Sequence, residues 1–184
     1  MSRAYQIRVS ESVVRTVHVE DGVASPLDLL PILPPDRMGD LLGHELEQRG
    51  FARDGHTATR TDLDGIVITV DLATAMVTVK LGAKADVAET IDLTARVGNV
   101  QAGEAALRDD AIRQLDDRIA DRTEQLRREV TKKLEDKLAD IRRELDEAIG
   151  RTTVAALTER ANQLGSIQEI AEDEAGNVTI RVKV

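Results

Sequence analysis

The stretch EAALRDDAIRQLDDRIADRTEQLRREVTKKLEDKLADIRRELDEAI, Glu104–Ile149, decides the fold. It has no proline and no interior glycine. Its Arg, Lys, Asp, Glu, Leu and Ala content favours a helix, because these side chains lose little freedom there. The apolar stripe consists of Ile112, Leu115, Ile119, Leu126, Val130, Leu134, Leu138, Ile141, Leu145 and Ile149. Counting the one gap of seven as two turns gives about 3.7 residues per step, which is closer to an eleven-residue repeat than to a heptad. The spacing therefore predicts one long amphipathic helix, any supercoil nearly straight or slightly right-handed, that is a poor fit to a strict two-stranded coiled-coil seam. Charge pairs four residues apart, such as Glu124 and Arg128, support its exposed side.

The segment before it is equally unusual. Odd positions from Val77 to Val97 are apolar with the single exception of Glu89, and the even positions are mostly polar. Period two sustained for about twenty residues predicts an over-long strand, since strands are commonly about five or six residues. The alternative is a shorter strand, broken near Gly82, with the rest as linker. At about 3.3 Å per strand residue and about 1.5 Å per helix residue, strand and helix both span about 70 Å. That match predicts an arm running outward as strand and back as helix; the alternative is a dumbbell.

Outward from this pair the chain reads as small elements. Strands are expected over 4–9 and 13–20, with Asp21-Gly22 as a turn. The prolines Pro31, Pro34 and Pro35 lead into a helix whose stripe is Met38, Leu41, Leu42 and Leu46. Gly50 should end it, with Phe51 supplying the contact that accompanies a glycine cap. Strands over 51–60 and 66–72 follow, with Asp62-Leu63-Asp64-Gly65 as a hairpin turn, and a tight connection near Ala73–Ala75. Past the long helix, a break at Gly150 and a cap at Thr152 or Thr153 predict a short second helix. A hairpin of 167–171 and 178–184, turning through Asp173–Asn177, is expected to join the N-terminal sheet. The fold class is α+β, with a 1–75 α+β domain, a 76–150 arm of strand and helix, and a 151–184 helix and hairpin.

Composition limits what such a chain can do. The net charge of -9 opposes a duplex-binding surface, which needs clustered Lys and Arg. Tyr5 and Phe51 are the only aromatics, too few to stack bases. With no cysteine there are neither disulfides nor thiolate metal sites, as suits the cytoplasm. No run approaches the roughly 18 apolar residues of a membrane span. His18, His44 and His56 lack metal-ligand spacing, and Asp62-Leu63-Asp64-Gly65 lacks the closing acidic ligand of a calcium loop. No catalytic, cofactor or metal residue is nominated, and the chain reads as non-enzymatic.

A lone strand against a lone helix leaves both strand edges unpaired, an arrangement that invites pairing between chains. A homo-oligomer is therefore expected. Its meeting surface would be Val77, Val79, Leu81, Val87, Ile91 and Leu93 on the strand, with the ten apolar helix positions Ile112 to Ile149 named above.

Four stretches, YQIRVSES (5–12), HVEDGV (18–23), LLPILPPDRM (29–38) and IRVKV (180–184), resemble the "domain X" components of bacterial FtsH-type ternary systems. The resemblance runs the length of the chain but carries no catalytic motif. It implies a partner role beside a AAA-type ATPase and a von Willebrand A-type domain protein, in a bacterial conflict or antiphage defence module. The expectation is an oligomeric adaptor or sensor; the alternative is a cytosolic holdase-type chaperone that binds clients on the apolar strand face.

Overall fold

The structure, a computed structural model, describes residues 4–172 and 178–183. The elements run β1 (Tyr5–Pro26), α1 (Pro35–Gln48), β2 (Ala52–Asp54), β3 (Thr57–Thr61), β4 (Val67–Asp71), β5 (Met76–Val97), α2 (Val100–Leu164), β6 (Ser166–Glu172) and β7 (Val178–Lys183). One sheet has the order β1-β5-β4-β3-β2; β6 and β7 form a second. The chain divides into two compact units, residues 1–21 with 82–133 and residues 22–81 with 134–184. The α+β class and the long strand β5 are as the sequence indicates, and β5 continues through Gly82. The unit boundaries differ from the expected 1–75, 76–150 and 151–184, because β1 pairs with the far end of β5.

β1 corrects the expectation of two short strands. It is one strand of 22 residues, the same length as β5. Ser12 bonds Thr90 across the pair at 3.0 Å and Thr16 donates to Asp86 at 2.6 Å, so the two strands run antiparallel. Gly22 is not a turn. A Cβ there would lie 2.9 Å from the Val79 carbonyl and from the Lys80 side chain, so the glycine lets two backbones approach within the sheet. Glu11 and Arg15 break the apolar alternation of β1 and hid its continuity. Each meets a charge on α2: Arg108 at 2.9 Å from Glu11, and Asp116 at 3.4 Å from Arg15.

In the first unit the odd face of the β1/β5 ribbon lies against the start of α2. Ile91, Ala111 and Leu115 form a buried cluster flanked by Val13 and Leu93. Asn99 accepts the Ala102 amide and caps the helix, which therefore starts earlier than expected. Gly103 sits inside the first turn, where a Cβ would meet Val97.

In the second unit α1 begins at Pro35, with Asp36 in its first turn, and buries Met38, Leu42 and Leu46. Its end is a Schellman motif: Gly50, at φ +83°, donates to Glu47, and Phe51 donates to Leu46 and is buried. Gly39 and Gly43 bring α1 close to Leu72. The expected strand 51–60 is two strands, β2 and β3, because Gly55 at φ +57° turns the chain between Asp54 and Thr57. The Asp62 carboxylate accepts the amides of Asp64 and Ile66, each at 2.9 Å, and closes the β3–β4 turn. Asp71 does the same for Ala73 and Thr74 before β5.

Three further expectations are overturned here. α2 does not break at Gly150; it is one helix of 65 residues. A helical glycine costs about 1 kcal/mol relative to alanine, but Ala148, Thr152 and Ala156 are fully buried on one row, and that packing holds the helix together. Thr152 and Thr153 do not cap. Their hydroxyls bond back to the carbonyls of Ala148 and Ile149 at 2.8 Å. The C-terminal hairpin does not join the N-terminal sheet, since β6 pairs only with β7, with an irregularity between Ile167 and Glu169. Its turn, Asp173–Asn177, and Val184 lie outside the described residues.

Candidate assembly surface

Most of the apolar residues expected to mediate self-association are covered by their own chain. On β5, Val77, Val79, Leu81, Val87 and Ile91 are buried and Leu93 is half-buried. On α2, Leu115, Ile119, Val130, Leu134, Ile141 and Leu145 are buried, and Leu126, Leu138 and Ile149 are half-buried. Ile112 is the exception, at 47% exposed. The alternation and the stripe were read correctly as burial signals, but each face covers the other within one chain.

Several charges on the long helix are likewise engaged within the chain. In the first unit Arg118 reaches Glu89 at 3.5 Å, which explains the one polar residue on the inward side of β5. Thr131 donates to Asp21 at 2.5 Å. In the second unit Arg60 donates two bonds to Glu144, at 2.5 and 2.7 Å, and stacks over Phe51 at 4.6 Å from the ring centre. These bonds hold the half-buried Glu144 carboxyl below its usual range, against the opposing effect of burial. Arg37 Nε donates to both carboxylate oxygens of Glu159 at 3.0–3.1 Å while its terminal nitrogen lies 2.9 Å from Oε2, and Lys137 meets Asp64 at 2.9 Å.

One cleft opens in the first unit, about 320 Å³, lined by Val17, Ala85, Asp86, Glu89, Arg122 and Leu126 among others. It lies where the helix stripe lapses between Ile119 and Leu126, against the β5 segment that carries Ala85 and Val87. Four of its polar side chains are engaged: Thr16 donates to Asp86, Arg118 to Glu89, and Arg122 to Gln125 at 2.8 Å. The cleft brings together no nucleophile with a base. Among the described residues no group of three His, Asp or Glu converges as metal ligands, and no helix is long and apolar enough to cross a membrane. His44 bonds Gln48 on its own helix.

What the ribbon leaves open is its edges. Of β5, only Met76–Lys80 pairs with β4. From Gly82 to Val97, β5 has β1 on one side and, among the described residues, no strand on the other. β1 is the outermost strand of the sheet and its far edge has no strand partner among the described residues. An edge of this length presents a row of backbone donors and acceptors to any incoming strand. Val14 stands on it at 75% exposure, among polar neighbours. The sequence signalled an open edge on β5, and among the described residues β1 adds a second one, because Glu11 and Arg15 hid the continuity of that strand.

The model of one protein family, FtsH ternary system domain X5, matches residues 1–184. No curated protein and no solved structure matches the chain.

Proposed function

The chain belongs to the FtsH ternary system domain X5 family, and we propose from that membership that it is a non-enzymatic assembly component, an oligomeric adaptor or sensor. It associates with copies of itself and works with a AAA-type ATPase, alongside a von Willebrand A-type domain protein, in a bacterial conflict or defence system in the cytoplasm. The observation that carries self-association is the open edge of the 22-residue strand β1. The ion pairs of α2 are spent within the chain, and the cleft assembles no reactive pair, so surface rather than chemistry is what the fold offers. The holdase alternative required an open apolar face on β5. Val87 and Ile91 are instead buried, which leaves clients little to bind there.

The test is the native mass of the purified full chain across a concentration series. A stable multiple of the 20.1 kDa chain mass is expected. A monomer at every concentration up to about 100 μM, well above the roughly micromolar constants of weak specific complexes, overturns the self-association reading.

A further inference from the structure

We infer that β1 pairs antiparallel with β1 of a second copy, about a two-fold axis at Val14. This rests on the self-association reading and names its surface.

β1 carries three exposed large apolar side chains, Tyr5, Val14 and Val23. They are evenly spaced along the strand, nine residues on either side of Val14. An antiparallel pair centred on Val14 therefore sets Val14 against Val14 and Tyr5 against Val23 of the other copy, so all three gain an apolar neighbour at once. The same register sets Arg8 opposite Glu20, Ser10 opposite His18 and Ser12 opposite Thr16, with no like charges facing. Shifting the axis to Arg15 puts that arginine against itself. Shifting it to Val13 opposes Arg8 to His18 and sets Val14 against Ser12. Cross-strand pairs thus favour one register, and a two-fold interface requires this kind of self-complementarity.

The other open edge is a poorer candidate. Residues 82–97 of β5 carry no exposed large apolar side chain. Asp86 and Asp92 there are already tied to β1, Asp86 by Thr16 and Asp92 by Ser10 and Arg8. Geometry also permits the β1 pair. Two strands about 4.8 Å apart make a ribbon about as wide as one helix of about 10 Å. A four-stranded sheet β5-β1-β1-β5 then has room for both copies of α2 side by side on its inward face, because a two-fold axis normal to the sheet keeps the odd faces together.

The test exploits the absence of cysteine. In Val14→Cys the two thiols face each other with Cα atoms about 4.5–5.5 Å apart, within the span of a disulfide. In Thr16→Cys each thiol is about 13 Å from its copy along the strand and faces Ser12 instead. Mild oxidation should link Val14→Cys into a dimer, leave Thr16→Cys alone unlinked, and link a mixture of Ser12→Cys with Thr16→Cys. Val14→Lys should weaken the dimer by about tenfold, since like charges then face each other at the axis. Val14 is exposed, so neither change threatens the fold. A native-mass dimer in which Val14→Cys fails to link, or links no faster than Thr16→Cys, overturns this register and leaves the assembly reading standing. A monomer overturns both.

Discussion

The substitution glycine to alanine should have opposite signs at two helical positions, and the structure says why. At Gly150, in α2, a Cβ meets nothing within 4 Å. The only consequence of Gly150→Ala is the loss of glycine's excess freedom in the unfolded chain, so stability should rise by about 0.8–1 kcal/mol. At Gly39, in α1, the same helix-propensity gain applies, but a Cβ would lie 2.7 Å from the Leu72 carbonyl oxygen and 3.6 Å from its Cβ. Ordinary van der Waals contact is about 3.5–4.0 Å between carbons, and the obstacle is backbone, which cannot swing aside as a side-chain tip can. Overpacking of this kind costs about 1–3 kcal/mol, and a clash with backbone belongs at the upper end. Gly39→Ala should thus lose about 1–2 kcal/mol net. Urea unfolding followed by circular dichroism gives both values from the midpoint at constant m. A Gly39→Ala protein as stable as the parent would refute the close approach of α1 to Leu72. A destabilised Gly150→Ala protein would refute the unbroken course of α2.

Glu144→Gln should cost about 1.5–3 kcal/mol, the range for hydrogen bonds to charged groups, because it removes the charge that Arg60 holds from both nitrogens. The folded carboxyl titrates below its unfolded value. Its contribution is therefore complete above the ordinary glutamate pKa of about 4.3 and is lost as pH falls below it. The parent should lose this increment on acidification in a pH series of urea midpoints, and Glu144→Gln should not. Leu115→Ala opens a cavity in the cluster with Ile91 and Ala111 and should cost about 2–5 kcal/mol. Amide exchange should then accelerate first in 86–97 and 8–15, and acceleration confined to 52–71 would contradict the packing of α2 on the ribbon.

The sequence by itself determined the elements whose signal is local and periodic. The alternation of β5 and the stripe of α2 each mark an inward face, and apart from Ile112 the named large apolar positions are buried or half-buried. The end of α1 was legible because Gly50 and Phe51 satisfy the last carbonyls through backbone geometry that few other residues adopt. The family was legible too, in stretches spread along the whole chain. What only the tertiary structure decided was partnership. Glu11 and Arg15 look like interruptions of a strand until Arg108 and Asp116 are seen opposite them, a hundred residues later. Gly22 reads as a turn until Val79 and Lys80 are found against it. Gly150 reads as a helix break until the row Ala148, Thr152 and Ala156 is found buried beside it. In each case a local propensity worth about 1 kcal/mol was outweighed by packing between segments far apart in the chain. That packing also set β1 against one edge of β5 and made β1 the outermost strand, because a pattern of period two specifies which face is buried but not which strand lies alongside.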